Sequence, residues 1–242
     1  MLRKAGRMDS SLLTIRNLNA WYSTDKMVLS NLSLNLSRHE VVGLIGLNGA
    51  GKTTFLKILS GLLPTFQSDD IRFDDGPTNF RDRHFKKHRY TVFAEDNSFQ
   101  YFTFREYLAY VFAAYNKSPP DVSELVQGFH FEDFMDVLLK DLSTGNRKKV
   151  FLITAFALKP ELLLLDEPVN GLDFQSTEYL YQLITGYKEY GTVLFSSHIL
   201  ESITLTSDRV FVLKNGQIRH NFEGVTINAA DVREALHGNN DI

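Results

Sequence analysis

Gly46-Leu47-Asn48-Gly49-Ala50-Gly51-Lys52-Thr53 is the stretch of this chain whose chemistry is most readable. It fits the phosphate-binding pattern G-x-x-x-x-G-K-S/T at every fixed position. Glycines let backbone approach phosphate oxygens with no Cβ in the way. Successive N–H groups and a helix N-terminus supply partial positive charge for an anion. Lys52 would reach terminal phosphates, and the Thr53 hydroxyl would hold Mg²⁺. The flanks agree: residues 41–45 read as a buried strand, and residues 53–59, Thr54 among them, as an amphipathic helix.

A second group follows further along. Asp166-Glu167-Pro168 ends a run of four leucines, Leu162 to Leu165. An acid at the carboxyl end of a parallel strand lies beside the phosphate loop, because open α/β sheets bind ligands at that edge. Asp166 can help hold Mg²⁺, and Glu167 can accept a proton from an attacking water. Leu142-Ser143-Thr144-Gly145-Asn146-Arg147 is a Ser/Gly turn at a helix start. It offers a hydroxyl and free N–H groups to another anion. An ordinary serine cap gives the same pattern.

These residues need a scaffold. Residues 12–18 and 27–36 alternate apolar and polar, as half-buried strands do, and predict an antiparallel β layer ahead of the nucleotide core. Residues 91–94 suit a short buried strand. Residues 103–134 turn helical and aromatic, interrupted at Ser118-Pro119-Pro120, so 96–143 reads as an inserted helical subdomain. Helices are expected at 147–158, 174–190 and 198–206, and strands at 162–165 (central and parallel) and 192–196. Residues 210–213 and 217–222 flank Asn215-Gly216, a hairpin turn. Strands alternating with helices imply an α/β fold with a mostly parallel sheet.

Composition narrows the classes. The 242 residues are 43% hydrophobic and 23% charged, which suits one domain over 12–242. A net charge of −3 argues against a nucleic-acid partner. Arg81, Arg83, His84, Lys86, Lys87, His88 and Arg89 form one basic cluster, read as a solvated helix face in preference to a nucleic-acid or lipid-headgroup patch. Without cysteine there is no disulfide and no thiolate metal site, which is compatible with a reducing cytoplasm. No apolar run is long enough to span a bilayer. Residues 1–11 are basic and polar, unlike a secretory signal, and read as a flexible extension with Met8 as an alternative start.

Taken in order, these motifs resemble the nucleotide-binding domain of the ATP-binding cassette (ABC) family, over roughly residues 12–222. The resemblance implies a P-loop NTPase core, with ATP and Mg²⁺ as cofactors. The family's signature turn, usually Leu-Ser-Gly-Gly-Gln, matches Leu142 to Asn146, and its dimer-contacting loop looks like Asn170-Gly171-Leu172-Asp173. Its switch histidine looks like His198, and its adenine-stacking aromatic falls on Tyr22, beside Trp21. Lys52, Glu167 and His198 are then the catalytic group, and Thr53, Asp166 and Glu95 the metal group. Nucleotide would touch Tyr22, the loop from Gly46 through Thr53, and Thr54. Across a dimer it would touch Ser143, Thr144, Gly145, Asn146 and Asp173.

Three residues depart from the family pattern. Thr144 stands for the first signature glycine and Asn146 for the glutamine. Glu95 stands for the glutamine usual after the strand at 91–94, with Gln100 as second choice. A carboxylate there can ligate Mg²⁺ but repels a γ-phosphate.

The resemblance further implies ATP sandwiched head to tail in a homodimer, or in a heterodimer with a related cassette. Integral membrane permease subunits would be separate chains, and the cassette would sit in the cytoplasm on the inner face of the membrane. The lone cassette tilts the expectation towards export. A non-transport ABC ATPase on ribosomes or DNA, and a regulatory nucleotide clamp, are the alternatives. Phe99, Tyr101, Phe102 and Phe104 are either a docking surface or subdomain core.

Overall fold

The computed structural model describes residues 11–23, 26–224 and 227–238. The expected extension lies outside them except for Ser11, which opens the first strand. Strands β1 (Ser11–Ser23) and β2 (Lys26–Ser37) form a long antiparallel pair. β3 (Val41–Ile45) leads into the phosphate loop, and helix α1 (Lys52–Leu59) leaves it. Short strands β4 (Phe66–Gln67), β5 (Asp70–Phe73) and β6 (Gly76–Pro77) complete the antiparallel sheet through β1 and β5.

Helix α2 (Arg83–His88) precedes β7 (Arg89–Val92). Most of the basic cluster is solvated, as expected, but not Arg89. That guanidinium is buried, donates to the Phe80 carbonyl at 2.9 Å and lies over the Phe85 ring. Helices α3 (Phe104–Ala114), α4 (Ser123–Gly128) and α5 (Thr144–Leu158) follow. Thr103 caps α3 in a reciprocal box with Glu106. Then come β8 (Leu162–Asp166), α6 (Phe174–Gly186), β9 (Thr192–Ser197), α7 (Leu200–Thr206), β10 (Arg209–Lys214), β11 (Gln217–Glu223) and α8 (Ala229–His237).

The second sheet has the order β11-β10-β3-β9-β8-β7, parallel except for β11. Its central strands β3, β9 and β8 are buried on both faces, as a covered parallel sheet requires. Alternate residues feed two cores. Leu163, Leu165, Val193, Phe195, Val210 and Val212 pack with α3 to α6. Leu162, Leu164, Leu194, Phe211 and Leu213 pack with α1 and the antiparallel sheet. The fold is the expected α/β P-loop core with an antiparallel layer at its N-terminus.

Boundaries differ where partners set them. β7 occupies Arg89–Val92, not 91–94, because its ladder runs from Arg89 opposite Leu162 to Val92 opposite Leu165. The next β8 residue, Asp166, pairs with β9. α6 stops at Gly186 and passes into a single tighter turn, Tyr187–Glu189. α7 starts at Leu200, two residues after His198, which leaves the histidine in the connecting loop.

Candidate functional site

The phosphate loop bends sharply between β3 and α1. Gly51 has φ 110°, and a Cβ there would lie 2.6 Å from the Leu29 side chain, so this position needs glycine. α1 has no side-chain cap and no acid in its first turn. Its first N–H groups are therefore left for an anion. The Lys52 ammonium is buried, donates to the Gly46 carbonyl at 2.7 Å and lies 3.3 Å from Glu167 Oε1.

Both Asp166 oxygens are occupied. Thr53 Oγ1 donates to one at 2.9 Å, and Ser196 Oγ to the other at 2.7 Å. A hydroxyl and a carboxylate meeting at a helix N-terminus are the hard oxygen donors that Mg²⁺ prefers, and they leave most of an octahedron to phosphate and water. The residues present fit that ion.

Glu167 follows in left-handed backbone, φ 46°, which costs a non-glycine residue roughly 1–3 kcal/mol. Its neighbours hold it there. Its N–H donates to Ser196 Oγ at 3.0 Å, and its carbonyl accepts from Lys148 Nζ at 3.0 Å. His198 Nδ1 lies 2.8 Å from Oε2, the oxygen not facing Lys52. The carboxylate is thus fixed at both oxygens.

These groups open on a cavity of about 740 Å³. Its lining includes Tyr22, Asn48 to Thr54, Glu167, Asn170 and His198. Tyr22 rather than Trp21 faces it, with the phenol 3.3 Å from Thr54 Oγ1. Leu47 instead lines a smaller recess with Leu236 of α8. The Asn215-Gly216 turn also lines the large cavity, anchored by the Gly216 N–H on the Ala50 carbonyl at 3.1 Å.

The signature turn lies elsewhere. Ser143 caps α5, accepting from the Asn146 N–H at 3.2 Å. Gly145 packs on the backbone of Gly171: a Cβ there would come within 2.3 Å of the Gly171 oxygen. Asp173 caps α6 through the Ser176 N–H at 2.8 Å and pairs with buried Lys149 at 2.8 Å. Slight desolvation opposes ionisation of Asp173, but Lys149 and Ser176 outweigh it and hold the carboxyl well below the ordinary aspartate value. None of Ser143, Thr144, Gly145, Asn146 or Asp173 lines the phosphate cavity. Neither does Glu95, which lines a separate recess with Thr144 and Lys148. Burial pulls Lys148 below the ordinary lysine value, against the pull of Asp166, Glu167 and Glu95.

Ser196, Lys148, Lys149 and the Asn215-Gly216 turn escaped the sequence reading as parts of the site. One signal for the lysines existed. Residues 150–158 are apolar almost all round, so α5 is buried on every side and cations in its first turn need partners.

A glycine cradle at a parallel strand end, backed by the adjacent acids Asp166 and Glu167, defines a P-loop nucleotide-binding cassette. The ABC transporter family model matches residues 29–170. The putative ABC transporter ATP-binding protein AlbC of Bacillus subtilis (strain 168) is 37% identical over 216 residues, 86% of this chain and 90% of that protein. A solved ATP-binding subunit of an ABC transporter superposes with TM-score 0.80 at 27% identity, covering 94% of this chain and 95% of that one. The dimeric structure of MJ0796, a bacterial ABC transporter cassette, shares the fold with TM-score 0.77 at 22% identity, covering 87% of this chain and 98% of that one. The chain belongs to the ABC transporter ATP-binding family, whose members are ATPases.

Proposed function

We propose that this protein hydrolyses ATP to drive transport through separate membrane subunits, by closing two cassettes around the nucleotide. The observation that carries the reading is the Glu167 carboxylate, held between Lys52 and His198 at the wall of a cavity large enough for a nucleotide. Tyr22 supplies a flat apolar face for adenine at one end. The N–H groups of Gly49 to Thr54 and the Lys52 ammonium neutralise phosphate charge at the other. Thr53 and Asp166 would hold Mg²⁺, which when bound draws charge from the phosphate oxygens. Glu167 takes the proton of the attacking water, and His198 keeps the carboxylate aimed.

The turn at Ser143 to Asn146 and the loop ending at Asp173 point to a second cassette. They pack on one another outside the cavity, which suits contact with the γ-phosphate of a partner's nucleotide. The dimeric cassette that shares this fold supports that arrangement. Residues 12–242 would act as one cassette, with 96–143 as its helical subdomain. No helix among the described residues is long and apolar enough to cross a membrane. The likeness to ABC transporter ATP-binding proteins supports placing the cassette on the cytoplasmic face, bound to permease chains.

Phosphate release by the purified chain with ATP and Mg²⁺ tests the enzymatic half. Turnover that Glu167→Gln abolishes while ATP still binds supports it. ATP binding without turnover in the wild type would favour a regulatory clamp. Outward transport belongs to the proposal as well. In vesicles bearing cassettes on the outer face it predicts ATP-driven accumulation of substrate in the lumen; ATP-driven depletion would reverse it.

A further inference from the structure

Three consecutive cations open α5, and they have different fates. Arg147 stays half-exposed. Lys149 pairs with Asp173. Lys148 is only 4% exposed, and its recorded hydrogen bond goes to the Glu167 backbone carbonyl. An ammonium carries three donors, and a buried one is costly unless neutralised. Its one hydrogen bond goes to a neutral carbonyl, and the Asp166 and Glu167 carboxylates whose charge acts on it already have other partners.

A third carboxylate that acts on it shares a recess of about 170 Å³ with it. Lys148 lines it together with Glu95 and Asp96, from the bend after β7. Asp96 already accepts from the Ser98 N–H at 2.7 Å. Glu95 makes no ion pair among the described residues. It is also the position where this chain carries a charge in place of the usual amide. The recess gives the bend room to move in on α5.

We propose that Lys148 is a positioning residue for Glu167 and the counter-ion of Glu95, so that one buried cation ties the bend after β7 to the catalytic strand. As the bend moves in, the Glu95 carboxylate and the Glu167 carbonyl share the same ammonium. The left-handed backbone of Glu167 then responds to where the bend sits. This rests on Glu167 being the base proposed above.

The test is a mutant cycle: Lys148→Gln, Lys148→Arg, Glu95→Gln, and the double variant Glu95→Gln/Lys148→Gln. Lys148→Gln keeps a donor for the Glu167 carbonyl but leaves Glu95 without its cation. It should lower kcat about tenfold with KM for ATP within about twofold. Lys148→Arg should retain most of kcat. Adding Glu95→Gln to Lys148→Gln should restore several-fold of the loss, and the Tm drop of Lys148→Gln should shrink in that background. Equal effects of Lys148→Gln in both Glu95 backgrounds, in kcat and Tm alike, would overturn the pairing. A Tm loss that Lys148→Arg does not rescue, with kcat and KM moving together, would reduce Lys148 to packing. If the wild type does not hydrolyse ATP, the enzymatic reading fails, and the Tm cycle still judges the pair.

Discussion

His198 meets the Glu167 carboxylate from a loop, its Nδ1 2.8 Å from Oε2 and its backbone N–H 3.3 Å from the same oxygen. The contact exists because β9 ends at Ser197 and α7 starts only at Leu200. Lys52 holds the other oxygen. Contacts on both oxygens of one buried carboxylate keep it aimed, as a general base needs. Glu167→Gln keeps shape and removes the base. Its kcat should fall about 10²–10⁴-fold while ATP affinity persists. His198→Ala leaves the Lys52 contact in place, so its loss should be smaller. Single-turnover hydrolysis beside equilibrium nucleotide binding checks both.

Lys52 is tied to the loop it serves, on the Gly46 carbonyl at 2.7 Å. Lys52→Ala should weaken ATP binding and abolish turnover in a chain that still folds. It also leaves Glu167 without a cation in a buried setting, so a Tm a few degrees lower is expected. Fluorescent-nucleotide titration and a melting curve on the same sample measure the two effects.

Gly145→Ala sets two opposing terms against each other. Alanine in a helix gains about 1 kcal/mol over glycine. The new Cβ meets backbone oxygen of Gly171 at 2.3 Å, and overpacking of that kind costs about 1–3 kcal/mol. Clash should win, lowering Tm and moving the loop that ends at Asp173. ATPase activity should fall further than stability does if that loop faces a second cassette. A Tm equal to or above wild type would mean the contact relaxes freely.

Asp173 gives a pH dependence with a definite sign. Its folded pKa is depressed, so its contribution is fully present above the ordinary value of 3.8 and is lost as pH falls through the folded value. Asp173→Asn should therefore lower Tm by a constant amount from pH 7 to about pH 5. The gap should narrow below about pH 4. Melting curves across that range, wild type against variant, test it. A gap that widens towards acid would contradict the Lys149 pairing.

What the sequence carried depended on locality. The phosphate loop and acid pair were readable because each is a contiguous run whose chemistry and flanking strand sit side by side. β7 slid by two residues because its length is set by the ladder with β8, more than seventy positions away. The Asn215-Gly216 turn was visible as a turn, but its place beside the cavity follows from β10 lying next to β3. Ser196 reads from the sequence only as the end of a strand. Its role comes from β9 bordering β8, which puts its hydroxyl between Asp166 and the Glu167 N–H. Lys148 and Lys149 gain their roles only once α5 is packed, because the apolar turns after them bury the helix start. Glu95 was expected at the metal by family register. It lies in the neighbouring recess, because the chain leaves the sheet after Val92 and bends towards α5.

The central claim is that ATP joins two cassettes. Light scattering on Glu167→Gln, which binds ATP without consuming it, measures this most directly. With saturating ATP and Mg²⁺ the mass should double, and with ADP or no nucleotide it should stay that of one 27.7 kDa chain. A single-chain mass at saturating ATP, or a dimer indifferent to nucleotide, would contradict the account.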